Sequence, residues 1–271
     1  MNILQLKDYT MLDTKATSSK GNQPKWLVNG VWSKGDYMGY EGLSECIVSK
    51  LLHSSNVENF VDYGPLRMYY MDTWYNGCFS KNFKDPDDTL ITLERLGKQY
   101  LGHSFADELN KYTDLKEKIK YTVEFIERYT NLKNVGAYIT QMLELDCFFL
   151  NEDRHTNNIA FIYSDKTGKY SYCPYFDFGL ALLADTTVDY KLDKDVYRLM
   201  AKVEAKPFCT DFDEQVAVAE GLYGQQVKFS FTKGDVETAL EPLTEYYNSE
   251  IIKRVRIIIF DRMSTRRQYF K

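Results

Sequence analysis

The sequence is poor in residues that would point to a metal centre or a disulfide framework. Its 271 residues include only three histidines, which are dispersed, and five cysteines, none of which forms a Cys-x-x-Cys pair. A histidine-based metal site is therefore not expected. Scattered cysteines in odd number indicate reduced thiols in a reducing compartment.

A strong positive charge and long apolar runs are missing as well. The net charge is −5, so there is no overall basic field for non-specific nucleic-acid binding. The apolar run at 257–260 is far too short to span a bilayer. The N-terminus lacks the basic and apolar regions of a signal peptide. We expect a cytoplasmic protein that binds neither a membrane nor, directly, nucleic acid.

Aromatic residues are abundant, and the chain is long enough for two lobes. The 22 tyrosines and 16 phenylalanines predict extensive aromatic packing in the core. Residues 1–83 are patterned mostly as strands with one helix, and residues 84–271 mostly as helices. We predict a two-lobed α+β fold with a small β-rich N-terminal lobe and a larger helical C-terminal lobe.

In the N-terminal part, an Asn29-Gly30 pair predicts a hairpin turn between two strands. The predicted strands are 9–15, 25–28, 31–34, 60–63 and 67–74, the helix is 41–53, and the linker between the lobes is 78–88.

In the C-terminal part, apolar residues at helical spacing predict an amphipathic helix around 115–126 and a more buried one at 138–149. Strands at 159–163 and 170–173 flank a turn-forming loop and predict a second hairpin. Further helices are predicted from about residue 212 to the end.

The most specific segments lie on either side of this second hairpin. Residues 153–158 read Asp-Arg-His-Thr-Asn-Asn, and residues 176–179 read Phe-Asp-Phe-Gly. The interval from Asp153 to Asn158 is that of a kinase catalytic loop, where the acid orients the acceptor hydroxyl and the amide holds a metal. Asp177 stands where kinases keep a magnesium ligand. Because Asn158 and Asp177 flank one hairpin, we expect them to share a metal site.

A nucleotide kinase also needs a cation that holds the phosphates, and two lysines compete for this role. Lys34 follows the glycine-containing segment 17–22 by one hairpin, where a kinase carries its strand lysine. It is therefore favoured over Lys25, which lies one strand earlier. Glu41 and Glu45, four residues apart on the following helix, are the candidate partners of this lysine. Helical-wheel geometry places Glu41 nearer the apolar face and favours it.

Three further features have both a functional and a purely structural interpretation. His155 is either a structural turn residue or a nucleotide contact. The polar segment 17–22, with Gly21, is either a phosphate-covering loop or a plain surface turn. The C-terminal segment predicts a docked amphipathic helix with a solvated basic face, and binding to an acidic partner or nucleic acid is the alternative. Its basic residues are Lys253, Arg254, Arg256, Arg262, Arg266 and Arg267.

The chain resembles the HipA-like kinases, bacterial serine/threonine kinases with a two-lobed fold akin to phosphoinositide kinases. The resemblance rests on the 153–158 segment and on Pro-Tyr-Phe-Asp at 174–177. It is supported by Gly-Asn-Gln-Pro-Lys at 21–25 and Trp-Ser-Lys at 32–34, which occur in the order that the family uses. The order Asp-Arg-His, rather than His-Arg-Asp, separates this class from eukaryotic protein kinases.

The resemblance implies ATP and Mg²⁺ as cofactors and a role for each matching residue. Asp153 would be the catalytic base, Asn158 and Asp177 the magnesium ligands, Lys34 the phosphate-binding cation and His155 a neighbour of the nucleotide. Autophosphorylation would fall on Ser18 or Ser19. The segment 78–83, with Ser80 and Asn82, lies where the adenine-contacting hinge is expected.

We therefore predict transfer of the ATP γ-phosphate to a protein serine or threonine hydroxyl. The alternatives are a lipid or small-molecule phosphotransferase on the same fold and a nucleotide-binding pseudokinase that acts as an interaction module. The chain is shorter than the best-known HipA toxins, which have an additional N-terminal subdomain. A regulatory partner of the antitoxin kind is thus left as an open expectation.

Overall fold

The computed structural model describes residues 1–6 and 23–270. The α+β class predicted from the sequence is confirmed. The predicted strand 9–15 and the polar segment 17–22, with Ser18, Ser19 and Gly21, lie outside the described residues. Within the described part, no helix is long and apolar enough to cross a membrane.

The strands and helices account for most of the described chain. The strands are β1 (Ile3–Gln5), β2 (Lys25–Val28), β3 (Val31–Gly35), β4 (Gly64–Tyr70), β5 (Thr73–Lys81), β6 (Asp88–Thr92), β7 (Ala160–Ser164) and β8 (Lys169–Tyr172). The helices are α1 (Glu41–Leu52), α2 (Leu93–Leu101), α3 (Phe105–Leu109), α4 (Leu115–Thr130), α5 (Val135–Phe149), α6 (Val196–Met200), α7 (Phe212–Tyr223), α8 (Lys233–Leu240) and α9 (Ser249–Thr265).

The chain divides into two compact units, each built from separate stretches of sequence. The first unit comprises Met1–Asn82, Asp177–Val203 and Lys228–Lys271, and the second comprises Phe83–Phe176 and Glu204–Val227. The first boundary lies within one residue of the predicted division at 83 and 84. The units differ from the predicted contiguous lobes because two later stretches pack with the N-terminal residues.

The first unit is built on a five-stranded sheet in the order β1-β4-β5-β3-β2. Neighbouring strands are antiparallel, except that β1 runs parallel to β4. The predicted hairpin of β2 and β3 is confirmed. Asn29 and Gly30 connect the strands with φ of 50° and 76°, the left-handed conformations that these residues tolerate best.

The hairpin of β4 and β5 corrects two predicted strands. Residues 60–63 precede β4 and form no strand, and the predicted strand 67–74 contains a chain reversal at Met71 and Asp72. Both turn residues have positive φ, 45° and 60°. A Met-Asp pair has neither the glycine nor the asparagine that marks such a turn in a sequence. The predicted linker 78–88 is also too long, because β5 continues to Lys81 and β6 begins at Asp88.

Helix α1 packs against β4 and β5, and α9 completes the first unit. Arg254 of α9 corrects the expectation of a fully solvated basic face, since it is 5% exposed. Its guanidinium donates hydrogen bonds to the backbone carbonyls of Tyr190 and Lys191. Periodicity places Arg254 on a polar face, but the backbone carbonyls of Tyr190 and Lys191 lie opposite that face and accept its hydrogen bonds.

The second unit combines a three-stranded antiparallel sheet, in the order β6-β7-β8, with helices α2, α3, α4, α5 and α7. The predicted hairpin between 159 and 173 is confirmed as β7 and β8, with Gly168 at φ 66° in its turn. Helix α5 is the central helix of this unit, and its last turns are buried on every side. The 153–158 segment follows α5 directly.

Candidate active site

Lys34 lies near the end of β3 and belongs to a cluster of charged side chains in the first unit. Its side chain is 10% exposed. The ammonium Nζ lies 2.6 Å from Oε1 of Glu45 and 3.2 Å from Oδ1 of Asp177. It also donates to the hydroxyl of Tyr63 at 3.3 Å. A buried cation is thus held between two carboxylates from distant parts of the sequence.

The partner of Lys34 is therefore Glu45, and the prediction of Glu41 for this role is wrong. The Glu41 carboxylate instead accepts hydrogen bonds from the backbone N–H groups of Tyr37, Met38 and Gly39. It thereby fixes the turn that leads into α1. The helical-wheel argument failed because α1 is buried around most of its circumference, so apolar spacing does not tell which face meets β3.

Electrostatics reinforce the ion pair. Burial by itself would lower the pKa of Lys34, but the negative charge of Glu45, together with Tyr63 and Asp177, raises it well above its usual value. Lys25, directly opposite Lys34 in the β2–β3 register, has a lowered pKa, chiefly because of burial. Within residues 1–6 and 23–270, Lys25 forms no ion pair with a carboxylate.

Asp177 is held in an uncommon backbone conformation. Its φ of 64° is left-handed, which aspartate tolerates better than most residues with a side chain. The next residue, Phe178, donates its backbone N–H to Oε2 of Glu45 at 2.9 Å. The positive φ lies at Asp177 and not at Gly179. Gly179 lies beside α1, where an added Cβ would make an ordinary van der Waals contact, 3.4 Å from the Cβ of Glu41.

In the second unit, the segment after α5 is organised by a buried ion pair. Arg154, 1% exposed, contacts both carboxylate oxygens of Asp146, with Nε–Oδ2 at 2.8 Å and Nη2–Oδ1 at 3.0 Å. The side-chain amide of Asn151 donates to the same carboxylate at 2.7 Å. This two-point geometry fixes the guanidinium plane and with it the backbone of the segment.

The same guanidinium connects the two sequence motifs. Nη1 of Arg154 donates to the carbonyl of Asn158 and to the carbonyl of Phe176, both at 3.0 Å. Phe176 immediately precedes Asp177. One buried side chain therefore fixes the backbone at both ends of the β7–β8 hairpin.

Two basic groups flank the carboxylate of Asp153. Nζ of Lys206 lies 3.4 Å from Oδ1, and Nε2 of His155 lies 3.8 Å from Oδ2. Asp153 is 12% exposed in its side chain. His155 is thus next to the predicted base, while its contact with a nucleotide stays a prediction.

Asn158 in the second unit and Asp177 in the first each have a side-chain oxygen of the kind that Mg²⁺ prefers. Nδ2 of Asn158 donates to the backbone carbonyl of Asp153 at 2.8 Å, so its amide oxygen is the end left to face a cation. The Asp177 side chain is 26% exposed. Among the described residues, no group of three or more His, Cys, Asp or Glu side chains forms a metal cluster. A Mg-nucleotide site needs fewer protein ligands, because phosphates and water complete the octahedron.

The predicted hinge residues lie at the end of β5. Ser80 is buried and pairs in register with Trp32 of β3. Asn82 accepts a hydrogen bond from Nε1 of Trp32 at 3.3 Å and donates its backbone N–H to the carbonyl of Gly30. Asn82 is also the last residue before the second unit begins. Their contact with adenine stays a prediction.

Sequence reasoning missed four residues that organise these clusters: Tyr63, Asp146, Arg154 and Lys206. Arg154 lies inside the recognised motif, and an arginine between two polar residues after a buried helix is itself a signal of a buried pair. Asp146, within an apolar helix, is the matching signal. Nothing local marks Tyr63 or Lys206, because their partners are distant in the sequence.

No protein-family model matches the sequence, and no curated protein matches it. Among solved structures, the chain is similar to one from Helicobacter pylori described as the proinflammatory kinase CtkA. The TM-score is 0.63 and the identity 16%, over 96% of this chain and 94% of that chain. A second structure, HipA in a complex with HipB and operator DNA from Shewanella oneidensis MR-1, has a TM-score of 0.47 and 11% identity, over 95% of this chain and 68% of that one.

The fold is therefore kinase-like. The kinase-like fold predicted from the sequence is confirmed through the Helicobacter structure.

Proposed function

We propose that the chain is an ATP- and Mg²⁺-dependent kinase that phosphorylates a protein serine or threonine hydroxyl. The observation that carries this proposal is the buried cluster in which Lys34 is paired with Glu45 and Asp177. A lysine placed by a helix glutamate beside an Asp-Phe-Gly segment is the arrangement by which kinases bind nucleotide phosphates. The kinase described in the Helicobacter structure supports the same class of reaction.

Local contacts support the roles proposed for four residues: Lys34, Asp153, Asn158 and Asp177. Lys34, fixed by Glu45, would hold the α- and β-phosphates. Asp153 would accept the proton of the attacking hydroxyl, and Asn158 and Asp177 would bind the metal. When bound, Mg²⁺ would neutralise charge on the phosphates. The protein's own contribution is positioning, for which the buried Arg154 clamp provides a rigid support.

The phosphate acceptor is proposed from the resemblance to serine/threonine kinases, and an acceptor panel tests it. The purified full chain is incubated with Mg²⁺ and γ-labelled ATP, and with soluble proteins, inositol-lipid vesicles or small alcohols in parallel. We expect label in protein, with phosphoserine at Ser18 or Ser19 detected by mass spectrometry of the chain itself. Label in lipid or alcohol alone would replace the proposed acceptor.

The proposed roles of the acids are tested by charge removal at constant size. We expect Asp153→Asn and Asp177→Asn each to reduce phosphotransfer by about 100-fold or more, because each removes a group that acts in the transfer. Asn also tolerates the left-handed φ at 177. The matched control is Asp165→Asn in the exposed β7–β8 turn, which should retain wild-type activity. Full activity of Asp153→Asn would contradict the assignment. Mg-ATP binding without any turnover of the wild type would indicate a pseudokinase.

A further inference from the structure

Lys206 is the one basic side chain, among the described residues, that forms an ion pair with the predicted base from outside its own segment. Its Nζ lies 3.4 Å from Oδ1 of Asp153. Both residues belong to the second unit, and they are separated by 53 positions in the sequence. Nothing in the 153–158 motif requires such a partner.

The segment that holds Lys206 is a fixed turn. The backbone N–H of Ala205 donates to the carbonyl of Thr210 at 2.8 Å, and Ala205 and Phe208 are each 2% exposed. The carbonyl of Lys206 accepts a hydrogen bond from the fully buried Gln215 of α7 at 3.2 Å. The position of the Lys206 backbone is thus set by buried contacts on both sides.

Stability does not account for this placement. The Lys206 side chain is 39% exposed, and ion pairs at that exposure contribute little to the free energy of unfolding. The exposure also means that the ammonium, which has three N–H donors, retains donors on its solvent side. A second anion can therefore bind Lys206 without displacing Asp153.

We propose that Lys206 is a catalytic residue that contacts the phosphoryl group during transfer while it remains paired with Asp153. This inference rests on the proposed kinase function. A base that takes the proton of an attacking hydroxyl lies within a few ångströms of the phosphorus that is attacked. A cation 3.4 Å from that base is consequently within reach of the phosphoryl oxygens.

The reaction balances without any change at Lys206. The acceptor oxygen forms a bond to the γ-phosphorus, its proton passes to Asp153, and the bond to the β–γ bridging oxygen breaks. ADP leaves with that electron pair. Lys206 stays protonated throughout and stabilises the negative charge on the transferred group.

The experiment measures kcat and the KM for ATP of the full chain, with Mg²⁺, for three lysine variants. We expect Lys206→Met to lower kcat by about 100-fold or more while the KM for ATP and the Kd for Mg-ATP change less than about twofold. Lys206→Arg, which retains the charge, should recover at least about tenfold of that loss. Lys120→Met, at an exposed position of α4 in the same unit, is the control and should match the wild type.

Three results would overturn the inference while the proposed function stands. One is a wild-type kcat for Lys206→Met. Another is an equal loss in the Met and Arg variants together with a lowered unfolding midpoint, which would make Lys206 structural. A rise in the KM for ATP at constant kcat would also overturn it, because the lysine would then bind nucleotide only. If the wild type transfers no phosphate to any acceptor or to itself, the proposed function fails, and the inference fails with it.

Discussion

Glu45 is the residue on which the charge cluster of the first unit depends. Its two carboxylate oxygens have different partners, the ammonium of Lys34 and the backbone N–H of Phe178. Removing the charge from one member of a buried pair leaves the other poorly compensated. Removing the charge of Glu45 should therefore change the pKa and the reactivity of Lys34.

We expect Glu45→Gln to make Lys34 more reactive towards amine-acylating reagents. The negative charge of Glu45 helps to hold the pKa of Lys34 well above its usual value against the effect of burial. Without that charge the pKa falls, and more of the amine is neutral and nucleophilic at a given pH. Acylation of Lys34 is followed by peptide mass spectrometry. Glu41→Gln is the matched control and should leave the rate unchanged; a larger increase there would restore Glu41 as the partner.

Arg154 should be among the residues whose loss costs the most stability. We expect Arg154→Ala to lower the free energy of unfolding by about 3–5 kcal/mol, since it leaves the buried Asp146 carboxylate without its cation. Arg154→Lys should recover only part of this, because an ammonium cannot reproduce the two-point contact. Urea unfolding measures both. The control is Arg95→Ala at an exposed position of α2, and a loss below about 1 kcal/mol for Arg154→Ala would contradict the clamp.

The sequence was sufficient to predict Lys34 as a candidate cation, but not its partner or the residues that fix the catalytic segment. Motif spacing selects residues that are close in sequence. Helical spacing favours Glu41 over Glu45, but a helix that is buried on most sides has no polar face by which to choose between them. The sequence does not predict the role of Lys206, because Lys206 and Asp153 come together only when the second unit folds.

At the scale of the element, turn chemistry decided which strands were predicted correctly. The β2–β3 hairpin was predicted because Asn29 and Gly30 are the residues that positive φ favours. The β4–β5 hairpin has the same kind of turn, with Met71 and Asp72 in the two positions, and was therefore interpreted as a continuous strand. Packing of the strands on α1 outweighs the unfavourable positive φ of one exposed residue, Met71.

The cost of the positive φ at Met71 can be measured by substitution. We expect Met71→Asn to raise the free energy of unfolding by about 1 kcal/mol, because asparagine adopts the left-handed conformation at lower cost than methionine. Met71 is 77% exposed, so little packing is lost. The urea midpoint should increase with an unchanged m value. As the opposing control, Asp72→Ala should lower the midpoint, since it removes the hydrogen bond from Tyr69 and places alanine at φ 60°.

At the scale of the whole molecule, buried carboxyls set the pH dependence of stability. Burial raises the pKa of Glu144 to about 8 from 4.5, and burial together with Glu41 raises the pKa of Asp36. Between pH 4.5 and about pH 8, Glu144 retains in the folded protein a proton that it has released in the unfolded chain. The contribution of Glu144 is therefore fully present below about pH 4.5 and is lost as the pH rises towards about 8.

We expect the free energy of unfolding to fall from pH 5 to pH 8, by up to about 1.4 kcal/mol per pH unit for one proton. Glu144→Gln should flatten this slope, because an amide does not titrate. Both oxygens of Glu144 accept backbone N–H groups of Gln226 and Val227, contacts that glutamine retains in part. Urea unfolding at several pH values measures the slope. An unchanged slope in Glu144→Gln would assign the effect to other groups. The control is Glu117→Gln at an exposed position of α4, which should leave the slope unaltered.

The α+β class followed from periodicity and turn residues, which are local signals. These local signals do not predict which stretches of sequence make up each compact unit. Residues 177–203 and 228–271 pack with the N-terminal sheet through contacts between positions far apart in the sequence, and no local pattern encodes them. Composition and motif order therefore predict the fold class better than they predict which segments pack together in each unit.

The double use of Glu45 has a thermodynamic consequence. Because one carboxylate binds both the ammonium of Lys34 and the N–H of Phe178, the energies of these two contacts are not independent. Any ligand that draws Lys34 away from Glu45 must alter the stability of the Phe178 contact, and reciprocity requires the same coupling free energy in the opposite direction. Ligand binding at Lys34 and the backbone conformation at Phe178 are therefore thermodynamically coupled through Glu45.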